Sequence, residues 1–118
     1  MDYAEYLQAY NSGDHRELVR KFCTDDVTFE AGALGSVFRG KDEVLAFLLS
    51  LQDGVRDVLR AQVVLQDENH IFAEADMDFH AERDLPEFPV GALKRGEYLT
   101  MKVFVVYYLR DGKICRFK

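Results

Sequence analysis

Between Leu99 and Leu109 the chain is almost wholly β-branched, aromatic or aliphatic, and the run meets Arg110-Asp111-Gly112-Lys113 before resuming as Ile114 to Phe117. Such residues suit a pleated surface with at least one face buried, and Asp-Gly supplies the conformations that a tight hairpin turn needs. The stretch predicts a long strand that turns back into a partner. Side chains alternate across a strand, so Leu99, Met101, Val103, Val105, Tyr107 and Leu109 share one uniformly apolar face. Thr100, Lys102, Phe104, Val106 and Tyr108 share the other. Phe104, Val106 and Tyr108 are apolar enough that this second face is expected to be covered too, by the same chain or by a second copy.

Ile71 to Arg83 alternates more strictly still. Ile71, Ala73, Ala75, Met77, Phe79 and Ala81 oppose Glu74, Asp76, Asp78, His80 and Glu82, the pattern of a long strand with one wet face. Arg60 to Gln66 alternates in part and leads through the turn Asp67-Glu68-Asn69. Earlier, Val27 to Ala31 reads as a half-buried strand, after a break at Thr24-Asp25-Asp26. Three helices are predicted. Asp2 to Asn11 carries Tyr3, Tyr6, Leu7 and Tyr10 on one stripe; Asp14 with Glu17 forms a capping box that opens a second helix with Leu18, Val19 and Phe22 inward. Gly32 to Gly40 reads as a loop, and Lys41 to Gln52 as the third helix, with Val44, Leu45, Phe47, Leu48 and Leu51 inward and Gly54 near its end. Asp84 to Lys94, holding both prolines, connects the two long strands. Helix, helix, strand, helix, then strands predicts one α+β domain over residues 1–118, its helices packed on one face of a curved, mainly antiparallel sheet.

The totals narrow the partners. A chain of 118 residues buries a sufficient core without disulfides or metal. Its net charge of -6, with no basic stripe, argues against nucleic acid. Val44 to Leu49 and Val103 to Leu109 are the longest apolar runs, far too short to span a bilayer. MDYAEYLQAY has neither a basic nor an apolar leader region, so a cytoplasmic location is expected. Cys23 and Cys115 lack CxxC or Cys/His spacing and read as small buried hydrophobes; no metal or cofactor is expected.

Several motifs carry a family likeness in this order. Asn11-Ser12-Gly13-Asp14, Phe22-Cys23-Thr24-Asp25-Asp26-Val27-Thr28-Phe29, Arg39-Gly40-Lys41-Asp42-Glu43-Val44 and Asp111-Gly112-Lys113-Ile114 resemble the nuclear transport factor 2-like superfamily. That group holds SnoaL-like polyketide cyclases, ketosteroid isomerase and limonene epoxide hydrolase. The resemblance implies a cone-shaped cystatin-like roll, a bent sheet around the helices with an apolar cavity at one end, and a homodimer formed through the sheet. Carried over one position at a time, the isomerase's oxyanion-donating tyrosine falls on Tyr6, its aspartate base on Ala31 and its second oxyanion acid near Val105. The epoxide hydrolase's tyrosine and asparagine fall on Phe29 and Ala31, its arginine and aspartate at about Ala75 and Met77, and its last aspartate beyond Lys118. Neither catalytic set is reproduced.

If odd positions point into the cone, the wall consists of Phe29, Ala31, Ala75, Met77, Phe79, Leu99, Met101, Val103, Val105 and Tyr107, with Phe117, and holds no carboxylate, histidine or lysine. Acid–base catalysis needs a titratable group within reach of the substrate. Tyr6 is a candidate oxyanion donor or a plain core residue. Asp78 and His80 are a candidate carboxylate-oriented base only if a bulge or register slip turns them inward; otherwise their row is a solvated sheet face. His15 and His70 read as surface residues, and Glu87 and Glu97 flank a loop near the cavity mouth. Three functions stay open: a pocket for a small apolar ligand, a cofactor-free isomerase, cyclase or hydratase, and a dimeric interaction module with a collapsed cavity. An inward carboxylate favours the second.

Overall fold

The first two helices each begin at an aspartate whose side chain satisfies a free N–H group of the first turn. The computed structural model describes residues 1–118 apart from the side chain of Ala33. In α1 (Tyr3–Asn11) the Asp2 carboxylate accepts from the Ala4 N–H at 2.9 Å, and in α2 (His15–Phe22) Asp14 accepts from Glu17 N–H at 3.1 Å. Only half of the predicted capping box forms, because the Glu17 carboxylate turns to Arg20 Nε at 2.7 Å. In α3 (Gly40–Ser50) the reverse half forms: Glu43 accepts from Arg39 N–H at 3.1 Å. Among the described residues no helix is long and apolar enough to cross a membrane.

Six strands, β1 (Cys23–Ala31), β2 (Ser36–Arg39), β3 (Val55–Gln66), β4 (His70–Ala81), β5 (Tyr98–Arg110) and β6 (Lys113–Phe117), form one curved sheet in the order β2-β1-β6-β5-β4-β3. All neighbours are antiparallel except β1 and β6. The sequence expectations need three corrections here. β1 starts at Cys23, so the Thr24-Asp25-Asp26 stretch read as a break before the strand lies within it, in a register irregularity against β6. The predicted loop from Gly32 to Gly40 contains β2, an edge strand turned back on β1 through Gly35, whose φ of 65° is a left-handed conformation that glycine adopts without strain. β3 begins five residues before Arg60, at Val55.

The helices lie against the concave face. Tyr3, Tyr6 and Tyr10 of α1, Leu18, Val19 and Phe22 of α2, and Val44 and Leu48 of α3 share one buried cluster with sheet residues that include Ile71, Ala73, Ala75, Tyr107, Ile114 and Phe117. Burial of this many large apolar side chains is the dominant favourable contribution to folding. A second, smaller cluster closes one end: Leu85 and Leu93, bridged across the β4–β5 connection, pack with Val55, Phe79 and Ala81. Met77 touches both clusters.

Candidate functional site

The ladder between β4 and β5 runs without a break from His70↔Tyr108 to His80↔Tyr98, so every odd residue of β4 faces the helices. Ala73, Ala75 and Phe79 are fully buried there, as are Tyr107 and Phe117. They are core rather than an accessible wall: Phe88 of the connection covers Phe79 edge-on at 5.2 Å. The part-buried inward set is narrower than expected, namely Phe29, Ala31, Met77, Leu99, Val103 and Val105, with Met101 at 36% exposure. Met101 and Val103 stand opposite Met77 and Ala75, so these side chains form a continuous apolar strip on the concave side.

The inner face is not free of titratable groups. In β3, Val55, Asp57 and Leu59 pair with Ala81, Phe79 and Met77, which places all three inward, and Asp57 is only 4% exposed. Its Oδ2 accepts the Tyr10 hydroxyl at 2.6 Å, and Gln52 Nε2 stands 3.5 Å from Oδ1. His15, expected at the surface, is 1% exposed, because the α1–α2 hairpin folds the first turn of α2 against β3. Its ring centroid lies 4.5 Å from that of Tyr10 and its Nε2 lies 3.6 Å from Asp57 Oδ2, too long for a hydrogen bond. Both His15 nitrogens are buried without a hydrogen-bond partner. Burial works to raise the Asp57 pKa, but the facing His15 ring and the Tyr10 hydrogen bond prevail and hold it below the ordinary carboxylate range. Burial and the Asp57 charge push the Tyr10 phenol well upward, which keeps it a donor.

Tyr6 lies in the aromatic core, stacked on Tyr3 at 5.6 Å and edge-on to Phe22 and Tyr107. Burial raises its pKa strongly, so it too is a protonated donor. The Tyr107 hydroxyl is bonded to that of Tyr3 at 3.0 Å. Asp78 and His80 point to the convex face, since the bulge in this part of the sheet lies in β3, between Ala61 and Val63, and leaves β4 in register. There Asp78 takes Arg60 Nε at 2.7 Å and the Thr100 hydroxyl at 2.7 Å, both of which lower its pKa, while His80 stacks on Tyr98. Glu74 and Asp76 of the same row meet Lys102 at 3.4 and 3.1 Å. The same face carries a bare apolar patch, with Phe104 at 61% and Leu65 at 63% exposure beside half-buried Phe72, Val106 and Tyr108. His70 is exposed as expected, Cys23 is buried with its thiol pushed up to about 12 by that burial, and Cys115 is half-buried. Among the described residues no group of three or more His, Cys, Asp or Glu is placed to hold a metal ion.

This arrangement is that of the nuclear transport factor 2-like cone. The chain belongs to the SnoaL-like domain family, whose model matches residues 3–117. Its fold is similar to that of a candidate polyketide cyclase from Xanthomonas campestris pv. campestris, with 24% identity and a TM-score of 0.79 over 96% of this chain and 82% of that one. A candidate polyketide cyclase from Pseudomonas putida KT2440 gives 23% and 0.77 over 96% and 83%. A protein with a ketosteroid isomerase-like fold from Catenulispora acidiphila DSM 44928, solved with trimethylamine, gives 13% and 0.72 over 96% and 82%. At these identities the likeness speaks for the fold alone. Among curated proteins none matches this chain.

Proposed function

We propose that this domain binds a small, uncharged, apolar molecule against the concave strip of β5 and β4. The observation that carries this reading is the inward row Met101, Val103 and Val105, which packs at the margin of the core and keeps partial exposure while its neighbours Ala73 and Ala75 on β4 are sealed. An apolar concave surface lined by Met and Val side chains suits a ligand held by contact area. Titration with Nile red, a neutral fluorophore, tests it. Saturable binding that Met101→Glu weakens supports the reading, and binding indifferent to that charge refutes it.

A second reading, a cofactor-free isomerase, cyclase or hydratase, is favoured by one specific observation: an inward carboxylate, Asp57, bonded to Tyr10 and facing His15. Tyr6 stands in this reading as an added donor, and Asp78 and His80 belong to the ionic network of the convex face. Turnover of cyclic ketones that is lost in Asp57→Asn but kept in Asp78→Asn would support it. We propose further that two copies associate through the patch formed by Phe104, Val106 and Tyr108, since an exposed apolar area of this kind marks an interaction surface. The two unpaired cysteines suit a reducing compartment, and we place the protein in the cytoplasm.

A further inference from the structure

We propose that Tyr10, His15 and Asp57 form a proton-dependent clamp between the α1–α2 hairpin and β3, and that the charge state of the clamp reaches the ligand strip through Met77. The inference rests on the reading of that strip as the ligand surface. A buried imidazole whose two nitrogens have no hydrogen-bond partner is costly, and here the nearer nitrogen faces a carboxylate across 3.6 Å. An added proton turns that gap into a charge-assisted contact, and histidine is the side-chain type whose charge changes within the physiological range.

Tyr10 and His15 address the same oxygen of Asp57: the Tyr10 hydroxyl lies 2.6 Å and His15 Nε2 3.6 Å from Oδ2. A charged His15 draws that oxygen toward itself and loosens its bond to Tyr10; a neutral His15 returns it. The titratable groups around Asp57 are Tyr10 and Tyr6 from α1 and His15 from α2, while β4 contributes Phe79 and Met77 and the turn after α3 contributes Gln52. Burial keeps both phenols protonated.

Met77 links this cluster outward to the strip. The Tyr10 hydroxyl lies 3.9 Å from Met77 Sδ, and Met77 is the residue at which the helical core meets the closed end of the cone. A displacement of Tyr10 therefore moves a thioether on the strip itself, and the flexible methionine side chain is suited to follow it.

The test is NMR of protein labelled with 13C-methyl methionine, whose three methyl signals are assigned with Met77→Leu. Between roughly pH 5 and 8 the Met77 methyl is expected to move with the midpoint of the His15 ring signal, and to stop moving in both His15→Gln and Asp57→Asn. A Met77 methyl that stays fixed while His15 titrates overturns the clamp, as does one that still titrates in His15→Gln or a His15 ring that does not titrate in this window. Should His15→Gln fail to fold by circular dichroism, Asp57→Asn carries the same comparison. No ligand is needed for this readout. A protein that takes up no Nile red while Met77 follows His15 thus refutes the ligand surface and leaves the clamp standing.

Discussion

Removing the Tyr10 hydroxyl isolates the one short bond that Asp57 makes. Tyr10→Phe keeps the ring against His15 and Tyr6, whose centroids lie at 4.5 and 6.3 Å, so no cavity opens. The carboxylate is left with Gln52 and His15 at 3.5 and 3.6 Å, neither at good bonding distance. A hydrogen bond to a charged group contributes about 1.5–3 kcal/mol, and about 2 kcal/mol is expected here. With an unfolding entropy of roughly 2.1 cal/mol/K per residue, 118 residues give about 0.25 kcal/mol/K, so the melting temperature should fall by about 8 °C. The effect has a pH signature. Asp57 has a depressed pKa in the fold, so its contribution is fully present above the ordinary carboxylate value near 3.9 and is lost as pH falls through the lower folded value. The gap between wild type and Tyr10→Phe should therefore be widest near neutral pH and narrow below about pH 4. Urea unfolding followed by far-ultraviolet circular dichroism at several pH values measures it. A gap under about 0.5 kcal/mol at pH 7, or one of constant size down to pH 3, would refute the assignment of Asp57 as an ionised, Tyr10-stabilised carboxylate.

Three further outcomes are expected. Met101→Glu should weaken Nile red binding at least tenfold while shifting stability by no more than about 0.5 kcal/mol, because the position is already part-exposed. Phe104→Glu combined with Leu65→Lys should halve the mass seen in sedimentation equilibrium, and an unchanged mass would remove the convex patch as an interface. Gly54→Ala should lower the melting temperature by about 4 °C, the equivalent of roughly 1 kcal/mol: Gly54 has a φ of 73°, and a Cβ there would stand 2.9 Å from the Arg83 side chain.

The two long strands and three helices follow from patterning because their periodicity is unbroken: β4 alternates over its whole length, and α1 and α2 carry their own caps. The candidate site is harder to read for the opposite reason. Asp57 occupies an inward slot between Val55 and Leu59, so the charged residue interrupts the apolar alternation that would have extended β3 back to Val55. Followed through that interruption, Val55, Asp57, Leu59 and Ala61 would have put a carboxylate on the inner face. His15 directly follows the cap of an eight-residue helix, a place that is usually solvated, and only the fold of the hairpin onto β3 buries it. β2 is four residues long at the sheet edge and has too little sequence to show a period. The inward direction of Met101, Val103 and Val105 was available from alternation alone, but the sealing of Phe79 depends on Phe88, contributed by the connection between the strands.

β6 follows every other strand in the chain, is five residues long, and lies between β1 and β5. Without it the sheet is two pieces, the β1–β2 hairpin and the β3–β4–β5 meander, each able to form from neighbouring sequence. During synthesis both pieces exist before Lys113–Phe117 emerges, and each presents an unpaired edge, β1 on one side and β5 on the other. Open edges recruit foreign strands, and pairings distant in sequence form slowly. The interval in which a nascent copy is most open to capture by its neighbours is thus the wait for that short seam, whatever the stability of the finished protein.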